Sequence, residues 1–437
     1  MKEGRTLPTV FENRVNGVAP SGGTFAHPSR SRSPEVSKRV RGTDDPVMVQ
    51  ARRLIGGVEG VASLAQGAVF WGPPREAIAT AAEQACNNPA YSQYGPDEGM
   101  PELRAALQEK IEEQNGLQGY SVIVTAGANQ GLTSLVLTLL DPTDRAVLFK
   151  PYYFNALMAL QMTGCGQTVA FGRSHPDTWR PDLDWLQDQL EGPNPPKLVY
   201  VVNPCNPTGV TLSREELDRL ADMTAAAGTW LVLDETYEEF LFSGQEHYCP
   251  SGTHIVHLFS FSKGHGLMGW RVGYIAYPNF DGSDYLGLQL VKVQDTVPIH
   301  SAHMSQKVAL GALAAGRPWL ASQIASLKQN RQALLEALTP LGTLGDGIYG
   351  GDAIYVWARL PAGCQDDKAV VTWMVHTHKV SVIPGSGCGC PGYIRVAFGK
   401  PEPEAFKEAA ARLNAALKRL CSEGFAVVKE WQQHGQD

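Results

Sequence analysis

SFSKGHGLMGWRVG, residues 260–273, places Lys263 in a loop of small residues directly after an apolar run. That run, residues 255–259, reads IVHLF and is short enough for a buried strand. Arg271 stands eight residues beyond the lysine. A lysine and an arginine at a strand end can simply be solvated charges. The Ser, Gly and apolar positions around this pair make the stretch far more specific than the Lys–Arg spacing alone.

Outward from this point, short apolar runs alternate with segments of helical period. Residues 121–125, 146–149, 198–202 and 230–233 read as strands. Residues 102–114, 130–140 and 215–227 read as helices. Strands alternating with helices imply an α/β fold with a largely parallel sheet. After about residue 305 the texture changes. Helices are expected over 305–315, 318–338 and 403–422, and short strands over 354–358 and 393–398, which reads as a smaller α+β domain. The expected division is a tail over 1–40, a large domain over 64–300, and a small domain built from 41–63 with 301–437.

Other motifs fall at strand ends. LVLDETY (231–237) ends a strand on Asp234, with Tyr237 three residues on; alone, the Asp could be a helix cap. VNPCNPTGV (202–210) could be an Asn-Pro turn. TAGANQG (125–131) joins a strand to a helix, where small residues let backbone amides approach an anion. PYY (151–153) follows another strand. In PGYIRVAFG (391–399), Arg395 lies inside an apolar strand, which is unfavourable unless the charge is paired.

Taken together, these stretches resemble the class I/II aminotransferases, the fold-type I enzymes of pyridoxal 5′-phosphate (PLP), over about residues 40–420. The likeness extends to the plant aromatic and methionine aminotransferases through GTDDPVMVQARRL (42–54) and YGPDEGMPELR (94–104). It implies a seven-stranded, mostly parallel sheet in the large domain. It also implies that Lys263 is the covalent anchor and proton carrier. Asp234 would face the pyridine nitrogen, and Tyr237 and Asn206 the ring 3′-oxygen. Tyr153 would stack on the ring. Ala128, Asn129, Ser260 and Arg271 would hold the phosphate. Tyr94 would reach the phosphate of a neighbouring subunit, which implies a homodimer. Gly67, Asn206 and Arg395 would face the substrate. Gly264 and His265 depart from the family pattern, and His265 is a candidate neighbour of the phosphate.

The expected reaction is transamination between a 2-oxo acid and an apolar or aromatic amino acid: methionine, phenylalanine, tyrosine or tryptophan. DTVPIHSAHMS (295–305) holds no arginine for a side-chain carboxylate, and Ile299, His300, Phe70 and Trp71 are the expected pocket walls. His300 or Lys292 would be the exceptions that admit an acid. Rivals are a C–S lyase or a cyclopropane-forming synthase on the same scaffold, and a PLP-domain binding protein without turnover. Net charge of −7 argues against nucleic acid or an anionic membrane as partner. No apolar run approaches the ~20 residues of a membrane span. Eight scattered cysteines imply reduced thiols. The Cys388, Cys390, His376 and His378 spacing fits no standard zinc pattern, so no metal is expected. The expected compartment is the cytoplasm, or an organelle if the Ser/Arg-rich residues 1–40 are a transit peptide.

Overall fold

The computed structural model describes residues 34–434. Residues 1–33, most of the expected tail, and 435–437 lie outside the described residues. From Lys38 onward the chain forms one compact unit.

Its centre is a seven-stranded sheet in the order Tyr120–Thr125, Gly273–Pro278, Ile255–Ser260, Trp230–Asp234, Leu198–Val202, Ala146–Lys150, Val169–Arg173. Gly273–Pro278 runs antiparallel to both neighbours, and the other strands share one direction. The interior strand LVYVV is buried at every position, which is why it reads as a continuous apolar run and not an alternating one. Each Val or Leu so buried contributes ~1.5–3 kcal/mol. Helices cover the sheet. Arg214–Ala226 begins with a capping box between Ser213 and Glu216, which satisfies amides that a helix start would leave bare.

A second sheet of five short strands, mostly antiparallel, is ordered Ile383–Pro384, Tyr393–Ala397, Tyr355–Arg359, Gly347–Gly350, Thr343–Leu344. It packs with the helices Leu327–Leu338, Asp367–His378 and Pro403–Glu423 around a core of its own. Among the described residues no helix is long and apolar enough to cross a membrane.

Three expectations differ from what is observed. The segment 318–338 is two helices, Gly316–Ala325 and Leu327–Leu338. At Ser326 the amide bonds Gln323 O at 3.1 Å and the hydroxyl bonds the same carbonyl, a local competition that tightens the turn. Beyond the helix Pro403–Glu423, Gly424 turns the chain at φ +63° and a further helix, Ala426–His434, returns to bury Val427 and Val428. The antiparallel strand Gly273–Pro278 was hidden in the stretch quoted for its lysine and arginine.

Candidate active site

Five strands of the large sheet that point the same way deliver their C-terminal ends to one cavity of about 620 Å³, the usual place for a ligand in an α/β sheet. Eleven of the twelve candidate residues line it: Gly67, Ala128, Asn129, Tyr153, Asn206, Asp234, Tyr237, Ser260, Lys263, Arg271 and Arg395. Tyr94 does not. It is 81% exposed, on a loop whose Gly95 amide donates to His300 Nε2 at 3.2 Å.

Lys263 sits in the turn after Ile255–Ser260, and its ammonium donates to Gly67 O. Burial, helped by the nearby positive Arg395 and Arg271, lowers its pKa to about 8. Part of the population is therefore a neutral amine near neutral pH, the form that acts as a nucleophile or base. Asp234 ends its strand with one carboxylate oxygen accepting from Tyr200 Oη at 2.6 Å and the other from the Thr236 amide at 3.0 Å. Burial pushes this carboxyl above the ordinary range, against the pull of those two bonds. Both partners are neutral, so a cation placed opposite Asp234 would lower its pKa again.

The opposite wall comes from the smaller sheet. Arg395, 1% exposed, donates to Asn206 Oδ1 at 2.8 Å and Ala65 O at 2.7 Å. Its Nε is buried without a partner. The guanidinium lies over the Tyr355 ring, 4.4 Å from its centre, and the Tyr355 hydroxyl is 2.5 Å from that of Tyr237. A Cβ at Gly67 would collide with the same Tyr355 hydroxyl, so glycine is required there. Tyr153 donates to Asn129 Oδ1 and accepts from Asn155 Nδ2, both at 3.0 Å.

At the far end, Gly127 (φ +82°) starts the helix Ala128–Leu139 with no side-chain cap, leaving the first amides without intrahelical partners. A Cβ there would strike the Arg271 guanidinium. Arg271 itself adopts φ +56°, a strained conformation for a non-glycine residue of the kind often found at functional sites. Its Nη1 donates to Met268 O at 3.0 Å.

Two of the expected substrate walls are corrected. Trp71 turns into the core, where its indole N–H donates to Gly264 O at 3.0 Å and its ring stacks on Phe240. Phe70 packs against the core of the second sheet. Ile299 and His300, expected to face a partner subunit's substrate, do not line the cavity of their own chain, and His300 contacts the Gly95 amide and, at 2.7 Å, Ser301 O. Apolar walls from this chain come from the helix Val47–Ile55, through Met48, Ala51 and Ile55, and from Phe154. Arg52 and Lys400 also border the cavity. His265 lies away from the cavity, between Phe261 and Trp319. Burial and the positive Lys110 lower its pKa to about 4. His376 and His378 pack on Trp431 and Trp373 and form no ligand cluster with Cys388 and Cys390 among the described residues.

A cavity with one buried carboxylate, one amine, a bare helix start and a buried arginine with an unmet Nε suits an anionic ligand. The comparisons agree: residues 60–413 match the aminotransferase class I and II family, and the chain belongs to it. It is 47% identical, over 89% of its length and 98% of the relative's, to the aromatic aminotransferase ISS1 of Arabidopsis thaliana. An aromatic-amino-acid aminotransferase of Thermococcus litoralis is 26% identical, covering 84% of this chain and 94% of the relative. The solved Thermus thermophilus aspartate aminotransferase superposes with a TM-score of 0.78 at 27% identity, covering 88% of this chain and all of that one. The protein is thus a fold-type I aminotransferase whose cofactor is PLP.

Proposed function

We propose that this aminotransferase moves the amino group between an apolar or aromatic amino acid and a 2-oxo acid. The observation that carries the substrate half is Arg395. Its guanidinium is buried, and its partners in the chain are the neutral oxygens of Asn206 and Ala65, with Nε unmet. A buried charge in that condition is unfavourable by several kcal/mol until an acid joins it, and a substrate α-carboxylate is such an acid. The side chain then faces Met48, Ile55 and Phe154, where apolar area is worth about 25 cal/mol per Å². The aromatic relative at 47% identity supports the same class.

When bound, PLP supplies an electron sink that acidifies the substrate Cα. Lys263 Nζ would be the covalent anchor of the cofactor and would carry away the proton lost from the substrate Cα. The positive field of Arg395 and Arg271 keeps that amine ready to accept. Asp234, oriented by Tyr200 and Thr236, would hold the ring nitrogen and keep it protonated. Tyr237 and Asn206 would hold the ring oxygen, and Tyr153 would pack on the ring. Arg271, Ser260 and the first amides of the helix, at Ala128 and Asn129, would hold the phosphate. Arg395 and the backbone at Gly67 fix the substrate so that its Cα–H points at Lys263.

The active unit is a homodimer in this reading, because Tyr94 points out of its own cavity and is free to serve a neighbour's. We assign it to the cytoplasm, consistent with eight unpaired cysteines. One observation favours a second substrate class. Arg52 and Lys400, which border the cavity, suit a dicarboxylic partner acid, and the likeness to an aspartate aminotransferase fits it. The test is kcat/KM for methionine and phenylalanine against aspartate and glutamate. Preference for the last two as amino donors overturns the apolar assignment.

A further inference from the structure

Behind the strand end that carries Asp234 lies a second buried group of side chains. Glu235, 1% exposed, turns away from the cavity. One of its oxygens is 2.8 Å from His247 Nε2 and the other 3.1 Å from His257 Nδ1. Cys249 Sγ lies 3.8 Å from Glu235 Oε1, 3.8 Å from His247 Nδ1 and 3.7 Å from Asn115 Nδ2. A ligand atom from each of Glu235, His247 and Cys249 falls within 4.8 Å of the others. We propose that these three residues form a zinc-binding site.

The donor set is the first argument. One carboxylate oxygen, one imidazole nitrogen and one thiolate suit zinc, which takes O, N and S ligands at about 2.0–2.3 Å, whereas magnesium and calcium prefer oxygen alone. Tetrahedral bonds of that length set ligands roughly 3.3–3.8 Å apart, and one ligand atom from each of the three residues already lies within 4.8 Å of the others, so side-chain rotation suffices to close the set. The surroundings are the second argument. His257 Nδ1 holds Glu235 Oε1, which leaves Oε2 for an ion, and the Asn115 amide points at the sulfur, as the partners of metal ligands do. Access is the third. A cavity of about 390 Å³ opens on His247 and is bordered by Glu238, Glu239 and Asn115, so a cation and a fourth, water ligand have an entry path. Arg317 also borders it, and Lys110 is engaged by Glu238 at 2.6 Å.

Binding would form Zn–S, Zn–N and Zn–O bonds and release to solvent the Cys249 thiol proton and the proton that His247 shares with Glu235, without oxidation. His247 and Cys249 belong to the connection between the strands Trp230–Asp234 and Ile255–Ser260. The ion would therefore pin that connection to the residue after Asp234, a structural role.

The experiment uses the PLP-loaded enzyme stripped of metal with a chelator, then titrated with zinc in competition with a chromophoric chelator. The expected result is one zinc per chain and a higher Tm. Cys249→Ser and His247→Gln should abolish tight binding, Asn115→Ala should weaken it roughly tenfold, and Cys390→Ser should bind as the parent does. Cadmium substitution gives a readout independent of variant folding: the ¹¹³Cd resonance of the parent should report a single sulfur ligand. Substoichiometric zinc, equal affinity in Cys249→Ser and His247→Gln, or a ¹¹³Cd shift without a sulfur ligand would each overturn the site. None of these readouts depends on amino-group transfer, so failure here leaves the transaminase assignment standing.

Discussion

Asp234 and Glu235 are neighbours in sequence and opposites in circumstance. Asp234 faces the cavity among neutral partners, and burial drives its carboxyl up. Glu235 faces the other way. Burial alone would raise it too, but His247 and His257 beside it hold its pKa down to about 2. The same contrast extends to whole regions. Behind the strand end, Lys110, Glu238 and Asn115 satisfy one another at 2.6–2.9 Å. In front, Lys263, Asp234 and Arg395 find no opposite charge in direct contact. Buried charges that are paired hold a structure in place. Buried charges left open are waiting for a ligand.

The strongest way to break this contrast is on the open side. Lys263→Ala should abolish turnover and the visible absorption band of the lysine-bound cofactor, while the apoprotein keeps its Tm. A variant that retains the parent spectrum removes Lys263 from the role. On the closed side, Lys110→Ala leaves the half-buried Glu238 without its cation and should cost roughly 1.5–3 kcal/mol of stability, read by denaturant unfolding, with amino-group transfer at native temperature little changed. A loss under 1 kcal/mol would mean that region is not closed as described.

A smaller effect comes from Arg395→Lys. The planar donor fork becomes a point charge, and KM for amino substrates should rise about tenfold, ~1.4 kcal/mol. An unchanged KM places the carboxylate elsewhere. Smallest is a shift in pH dependence. Because burial and then Arg395 lower the Lys263 pKa to about 8, Arg395→Gln should raise it. The neutral amine then appears only at higher pH, so the midpoint for PLP uptake by the apoprotein should move upward. A midpoint that stays or falls contradicts the electrostatic account.

Much of the open side was legible in sequence, because its residues follow strand ends in short motifs: Asp234 in LVLDETY, Asn206 in VNPCNPTGV, Lys263 and Arg271 in one loop. Tyr200 and Tyr355 were not. Each lies inside an apolar strand, where a tyrosine reads as core, and only the pairing of distant strands turns its hydroxyl onto Asp234 or Tyr237. Trp71 was misread for the complementary reason. It follows Gly67 closely, but its indole N–H needs an acceptor and finds Gly264 O inside the protein. The closed side had no motif. Lys110 meets Glu238 across 128 residues, and Glu235, His247 and Cys249 follow no metal-binding spacing. The break at Ser326 was equally silent, since no glycine or proline marks it.

The hydroxyl contact between Tyr237 and Tyr355 ties the smaller sheet to the residues after Asp234, beside the bond from Arg395 to Asn206. Tyr355 also carries the Arg395 guanidinium on its ring face, and it stands against Gly67, the glycine whose carbonyl receives Lys263. An acid drawn to Arg395 therefore presses on the same ring that fixes the Tyr237 hydroxyl. Linkage requires the effect to run both ways: whatever tightens the grip of Tyr237 on the cofactor must alter the affinity of Arg395 for the acid by the same factor. The two halves of the enzyme then communicate through one aromatic ring, as a rocker passes load between two levers.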